Sequence, residues 1–171
     1  LDEAVSGDAQ DALNSLLIDM DKAKIDRGLL LQLNIQRFPR DEVGEALKCT
    51  EKIIGFINVD PFEKHPARVL EKGILSGGYK GLKLHPRLGG YLAEDPQVIS
   101  LFKTAAEMGV PTLVDAFPDG NSLMLGDSVA QYGKLARSAP EAPLIVAHFG
   151  GHRVIDMMLL AKRSPNMSLN L

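Results

Sequence analysis

The 171-residue sequence has no tryptophan and a single cysteine. No stretch reaches the roughly 18 unbroken apolar residues that would cross a bilayer, so a membrane span is excluded. The lone Cys49 excludes an intramolecular disulfide and fits a reducing, cytoplasmic setting. It sits in a charged helical stretch with no histidine nearby in sequence, and reads as a structural thiol. Excess positive charge is also missing. The 19 basic and 22 acidic residues leave a net charge of −3, which offers no field for a polyanion and argues against nucleic acid as a partner. What remains, 45% hydrophobic and 24% charged, is a globular composition with enough apolar residues for one ordinary core.

Six short apolar segments read as strands, at 27–33, 53–59, 79–85, 111–116, 143–148 and 167–171. Most are near-continuous hydrophobic runs and not alternations, as expected of strands buried on both faces of a parallel sheet. Their starts lie 26, 26, 32, 32 and 24 residues apart, which leaves room for one helix in each crossover. Amphipathic segments at 41–52, 61–73, 95–108, 125–138 and 152–163 supply those helices, and 8–23 adds one before the first strand. No linker or low-complexity tract divides the chain, so residues 1–171 are expected to form a single domain. Repeated βα units leave an open doubly wound sheet or a (β/α)8 TIM barrel. The glycine pairs Gly77-Gly78 and Gly89-Gly90 do not make the phosphate turn of the former, which favours the barrel. Eight units at this period need about 230 residues. The sequence starts at Leu1 and stops inside its last apolar strand, so an incomplete barrel lacking its first and last strands is expected. If residues 1–171 are the whole polypeptide, the exposed sheet edges and open lumen predict that it oligomerises or aggregates, and a homo-oligomer is the expectation.

Three of the strands end on a residue suited to acid–base or ligand chemistry. Gly81-Leu82-Lys83-Leu84-His85-Pro86 puts Lys83 and His85 on one face, and Pro86 stops the strand just beyond them. Pro111-Thr112-Leu113-Val114-Asp115 ends on a carboxylate, and Pro143-Leu144-Ile145-Val146-Ala147-His148 on an imidazole followed by Phe149-Gly150-Gly151-His152. In parallel α/β folds the carboxyl edge of the sheet is where ligands bind and chemistry happens.

These segments, in this order, resemble the amidohydrolase-related family. The resemblance is carried by Leu17-x-Asp19-Met20-Asp21-x-Ala23-x-Ile25-Asp26-Arg27 and Gly55-Phe56-x-Asn58-Val59-Asp60-Pro61. It continues through Gly81-x-Lys83-x-His85-Pro86, Gly109-x-Pro111, Ala147-His148-x-Gly150-Gly151 and Pro165-Asn166-x-Ser168-x-Asn170-Leu171. It covers about residues 16–171 and implies a distorted TIM barrel of which this chain holds strands two to seven. It also implies a divalent metal, commonly zinc with manganese as an alternative, at the carboxyl face. The implied activity is hydrolysis of a small carboxylated or cyclic substrate by a metal-activated water. Non-oxidative decarboxylation on the same metal is the alternative, and a non-catalytic barrel with an incomplete metal site is a third reading.

Residue by residue, the resemblance implies that His148 is a metal ligand. Asp115 stands where the family often has a histidine, and can serve as an oxygen ligand, a base or an orienting group. Lys83 lies on the strand where the superfamily sometimes carries a carboxylated lysine. A lysine aimed into a lumen also calls for a carboxylate partner, and Asp115 is one candidate. Lys83 and Asp115 are the expected catalytic pair, with His85 and His152 as substrate contacts. His152 follows two glycines at an expected helix start, where it can cap the helix or meet an anion. Arg87, Arg153, Asp119, Asn121 and His65 read as loop or surface residues, and Met157-Met158-Leu159-Leu160 as core or interface.

Overall fold

A computed structural model describes residues 7–33, 37–117 and 128–170. Helix α1, Ala9–Lys22, starts at a capping box in which Asp8 accepts from the Asp11 amide and the Asp11 side chain accepts in return. Then come β1 Gly28–Leu31, α2 Arg40–Leu47, β2 Ile53–Asn58, α3 Pro66–Leu75, β3 Gly81–Leu84, α4 Pro86–Gly89 and α5 Pro96–Glu107. The series closes with β4 Thr112–Val114, α6 Ser128–Ser138, β5 Leu144–Val146, a 3-10 segment His148–Arg153, α7 Val154–Arg163 and β6 Met167–Leu169.

The six strands form one sheet in the order β1-β2-β3-β4-β5-β6, and every neighbouring pair is parallel. A doubly wound sheet reverses its strand order at a switch point. An unbroken sequential order is instead the winding of a TIM barrel. The packing agrees. On the helix side, Leu82, Leu84, Val114, Leu144 and Val146 join Leu70, Val98, Phe102, Leu135 and Met157 in the main core. On the other side Phe56, Leu113 and Ala147 form a separate small cluster with Leu31, Ile54 and Ile145. That second cluster is the inner wall of the barrel segment. A methyl group at Gly81 would lie 2.4 Å from the Phe56 ring, so a residue without a side chain here lets Phe56 fill the wall.

The predicted strands are all present but shorter at their ends. His85, Asp115 and His148 therefore lie just past the paired ladders, on the first residues of the loops. The helix expected from 61 begins at Pro66. Before it, the Asp60 carboxylate accepts from the Phe62 amide, and the exposed His65 adopts φ 58°. Proline at the first helical position then sets the start. Helix α4 lies where the sequence predicts none. Asn166 ties the barrel segment together below the sheet, its side-chain amide donating to the carbonyls of Ala136, Ala139 and Ala142. Among the described residues, no helix is long and apolar enough to cross a membrane.

Candidate active site at the carboxyl edge of the sheet

Because the strands are parallel, their carboxyl ends share one edge, and the polar residues that the core excludes collect there. Among the described residues, five of the eight that are buried and polar or charged are Gln32, Asn58, Lys83, His85 and Asp115. The register places Asn58 beside Lys83 and Lys83 beside Leu113, so Lys83 shares a face with a member of the inner-wall cluster.

Asp115, 5% exposed, is the centre of the arrangement. Its Oδ2 lies 2.9 Å from His148 Nε2 and 3.6 Å from His85 Nε2, and its Oδ1 accepts from the Phe117 amide at 3.3 Å. His148 is different in exposure, with 46% of its side chain open to solvent. A ring that gives its Nε2 proton to a carboxylate keeps its basic lone pair on Nδ1, where it can take a proton from water or substrate. The His148 backbone is unusual: His148 and Phe149 have φ 55° and 50°, and Gly150 and Gly151 have φ 79° and 73°. Four successive residues of positive φ turn the chain sharply. For the two that carry a Cβ, this is strain of the kind concentrated at functional sites. At Gly150 a Cβ would meet Met157 at 2.0 Å, so the turn also requires a bare backbone against α7.

His85 is held on the other side of Asp115. Its Nδ1 accepts from the Leu88 amide of α4 at 3.4 Å. In the neutral ring the proton therefore sits on Nε2, facing Asp115. Burial, partly opposed by the Asp115 charge, lowers the His85 pKa, which favours that neutral form. His85 is thus a hydrogen-bond donor toward the site. Lys83, only 3% exposed, is held near pKa 8 by burial, against an opposing contribution from Asp115. The direct Lys83–Asp115 ion pair considered from the sequence is not formed. No described residue pairs with the Lys83 amine, and Asp115 is engaged by His148 and Phe117.

Two buried tyrosines fix the backbone of this edge. The His85 amide donates to Tyr91 Oη and the Tyr132 hydroxyl donates to the Asp115 carbonyl, each at 2.9 Å. Burial raises both phenols above their ordinary range, so they act as neutral hydrogen-bonding groups. Neither stood out in the sequence, because their partners are backbone atoms. Gln32 and Asn58 were also missed as site residues, although they are the polar ends of β1 and β2. The Gln32 side chain accepts from the Asn58 amide, and Asn58 donates to the Lys83 carbonyl.

The other candidates lie further out. His152 does not touch Asp115. Its ring packs 5.3 Å from that of Phe117, which in turn meets His148 edge-on at 5.8 Å. It does not cap α7, whose N-cap residue is Arg153 with no side-chain capping bond. Arg153 pairs with Asp156, and Arg87 is exposed. Asp119 and Asn121 fall outside the described residues. Cys49 is exposed, and in the Met-Met-Leu-Leu run Met157 is buried while Met158 and Leu159 are exposed.

A divalent ion finds donors of the right kind here. Carboxylate oxygen and imidazole nitrogen are ordinary ligands of zinc and manganese, and Asp115 and His148 present one each. The tautomer of His85 removes it from the donor set. Among the described residues, no three His, Cys, Asp or Glu side chains are spaced as a ready cage. Asp115 and His148 therefore fit such an ion as two of its ligands.

The amidohydrolase family model matches residues 6–171. Among solved structures, the chain is similar to an uncharacterized TIM-barrel protein from Bordetella bronchiseptica, with 17% identity and a TM-score of 0.76, over 94% of this chain and 59% of the other. It is similar to a dihydroxybenzoic acid decarboxylase from Polaromonas sp. with bound manganese and the inhibitor 2-nitroresorcinol, with 16% identity, a TM-score of 0.59, and 80% and 54% of the two chains covered. A probable 2-pyrone-4,6-dicarboxylic acid hydrolase from Acinetobacter baumannii with citric acid bound gives 14%, 0.64, 92% and 58%. The chain thus spans between half and three-fifths of the length of these structures, and the likeness is one of fold. No curated protein matches the sequence. With a family match over nearly its whole length and the sequential parallel winding of a TIM barrel, the chain belongs to the amidohydrolase family.

Proposed function

We propose that this chain forms one amidohydrolase-like barrel domain and carries part of the active site of a metal-dependent hydrolase acting on a small carboxylated or cyclic substrate. The observation that carries the reading is the Asp115–His148 contact of 2.9 Å at the carboxyl edge of the sheet, with His85 on the other side of the same carboxylate oxygen. Asp115 orients the His148 ring and offsets the charge the ring gains on protonation. His148, half open to solvent, keeps its Nδ1 lone pair available, for a proton when no ion is bound or as the donor to an ion when one is. His85 presents Nε2–H toward the same space and can stabilise negative charge developing on substrate oxygen. Tyr91 and Tyr132 hold the backbone that aims these groups. Asp115 and His148 are the residues that would hold a divalent ion, zinc or manganese. When bound, such an ion supplies Lewis-acid polarisation of a carbonyl or carboxylate oxygen.

Decarboxylation is the second reading, favoured by the family's structural neighbours, which include manganese-bound decarboxylases. A cytoplasmic setting fits the single cysteine. The test is a panel of small lactones, esters and aromatic acids offered to the protein with zinc or manganese, following acid release and carbon dioxide separately. Acid release lost in His148→Ala supports hydrolysis. Carbon dioxide release without it selects the lyase, and neither product from any substrate overturns the enzymatic reading.

A further inference from the structure

We infer that Lys83 is an anion receptor inside the barrel: its ammonium group binds the carboxylate of a small monoanionic substrate whose apolar body rests on the inner wall. The inference rests on the proposed reading of the site and adds which group recognises the substrate, and by what chemistry. Lys83 is 97% removed from solvent by its 3% exposure, and no described residue supplies a counter-ion. Its stem is buried, but its ammonium still meets solvent at the lumen: among the described residues, Thr112 Oγ1 is the fully buried side-chain polar atom without a partner. An anion that replaces this reduced hydration is a favourable partner for the amine. Asp115, the described carboxylate whose charge acts on Lys83, is committed to His148 Nε2 and the Phe117 amide. A substrate anion entering the lumen can take the place of the solvent that the amine now meets.

Position and charge define that anion. Lys83 lies on the same face of β3 as His85, whose Nε2–H is a second donor at this edge, so two positive or donating groups face one space. Directly across the register from Lys83 is Leu113, which packs with Phe56 and Ala147 and is flanked by Ile145. The floor is therefore apolar and the rim offers the Lys83 ammonium and the His85 N–H, which suits a carboxylate carried on an apolar body. A single charge is favoured over a double one. Lys83 and Asp115 carry opposite charges without pairing, so with a monoanion the three sum to one negative charge, and with a phosphate dianion to two, next to Asp115.

Benzoate and benzamide share a shape and differ in charge, which makes them the probes. Binding is measured by calorimetric titration of the full chain at pH 7 in excess chelator, so no divalent ion can bridge the carboxylate. The result then stands or falls separately from the metal reading. The wild type is expected to bind benzoate at least tenfold more tightly than benzamide or inorganic phosphate. Lys83→Met and Lys83→Gln, shown folded by circular dichroism in the same preparation, are expected to lose at least tenfold in benzoate affinity with benzamide unchanged. Benzoate affinity within twofold of wild type in both folded variants overturns the inference. So does equal binding of benzoate and benzamide, tighter binding of phosphate, or no benzoate binding by the wild type.

Discussion

Replacing Lys83 with methionine should make the protein more stable, and the gain should fade as the pH rises. Methionine keeps an unbranched stem of similar length and removes the buried charge. In the fold the lysine titrates near 8, against 10.5 in the unfolded chain. Between those values the unfolded state holds a proton that the native state has released, so native stability rises with pH across that window. Below 8 the full penalty applies. The difference corresponds to about 3 kcal/mol at pH 7, shrinking to about 1 kcal/mol at pH 10. For a domain of this size, 3 kcal/mol is roughly 6–12 °C in Tm. Urea denaturation of wild type and Lys83→Met at intervals from pH 6 to pH 10 measures both the offset and its slope. A variant less stable than wild type at pH 7, or an offset that does not narrow with pH, would mean that Lys83 has an internal partner, and the argument from a buried amine with no described partner would fail.

The remaining predictions concern single contacts. Thr112→Val removes a buried hydroxyl that has no hydrogen-bond partner; thermal unfolding should show an unchanged or higher midpoint, by up to about 1 kcal/mol of stability. Tyr132→Phe deletes the donor to the Asp115 carbonyl, and denaturant titration should show a loss of about 1–2 kcal/mol, whereas no loss would deny that contact. His148→Gly should be more stable than His148→Ala by about 1 kcal/mol, since only glycine adopts φ 55° without steric cost. Equal midpoints for that pair would place the strain elsewhere.

Much of this site was legible because strand periodicity and a shared direction are properties of sequence. Lys83 and His85 two residues apart on one strand must share a face, and parallel winding must bring Asp115 and His148 to the same edge. Distance across the sheet is not encoded in that way. The sequence could suggest an Asp115 partner for Lys83, yet the carboxylate turns to His148, because a run of positive φ carries that ring over it. The glycine pair marked a turn but did not reveal that His148 and Phe149 would share its positive φ. Tyr91 and Tyr132 reach backbone atoms 6 and 17 residues away, and no local pattern records such a reach. Gln32 and Asn58 obey the same rule as the others, a polar residue ending a buried strand. They were passed over because neither titrates.

The central claim is that Asp115 and His148 act together as a divalent-ion site, and the most direct test is zinc binding measured by calorimetry on wild type, Asp115→Asn and His148→Ala, with circular dichroism on each sample. The account predicts about one ion per wild-type chain and at least a tenfold loss of affinity in both variants while the fold is kept. Unchanged zinc affinity in folded Asp115→Asn and His148→Ala would contradict it.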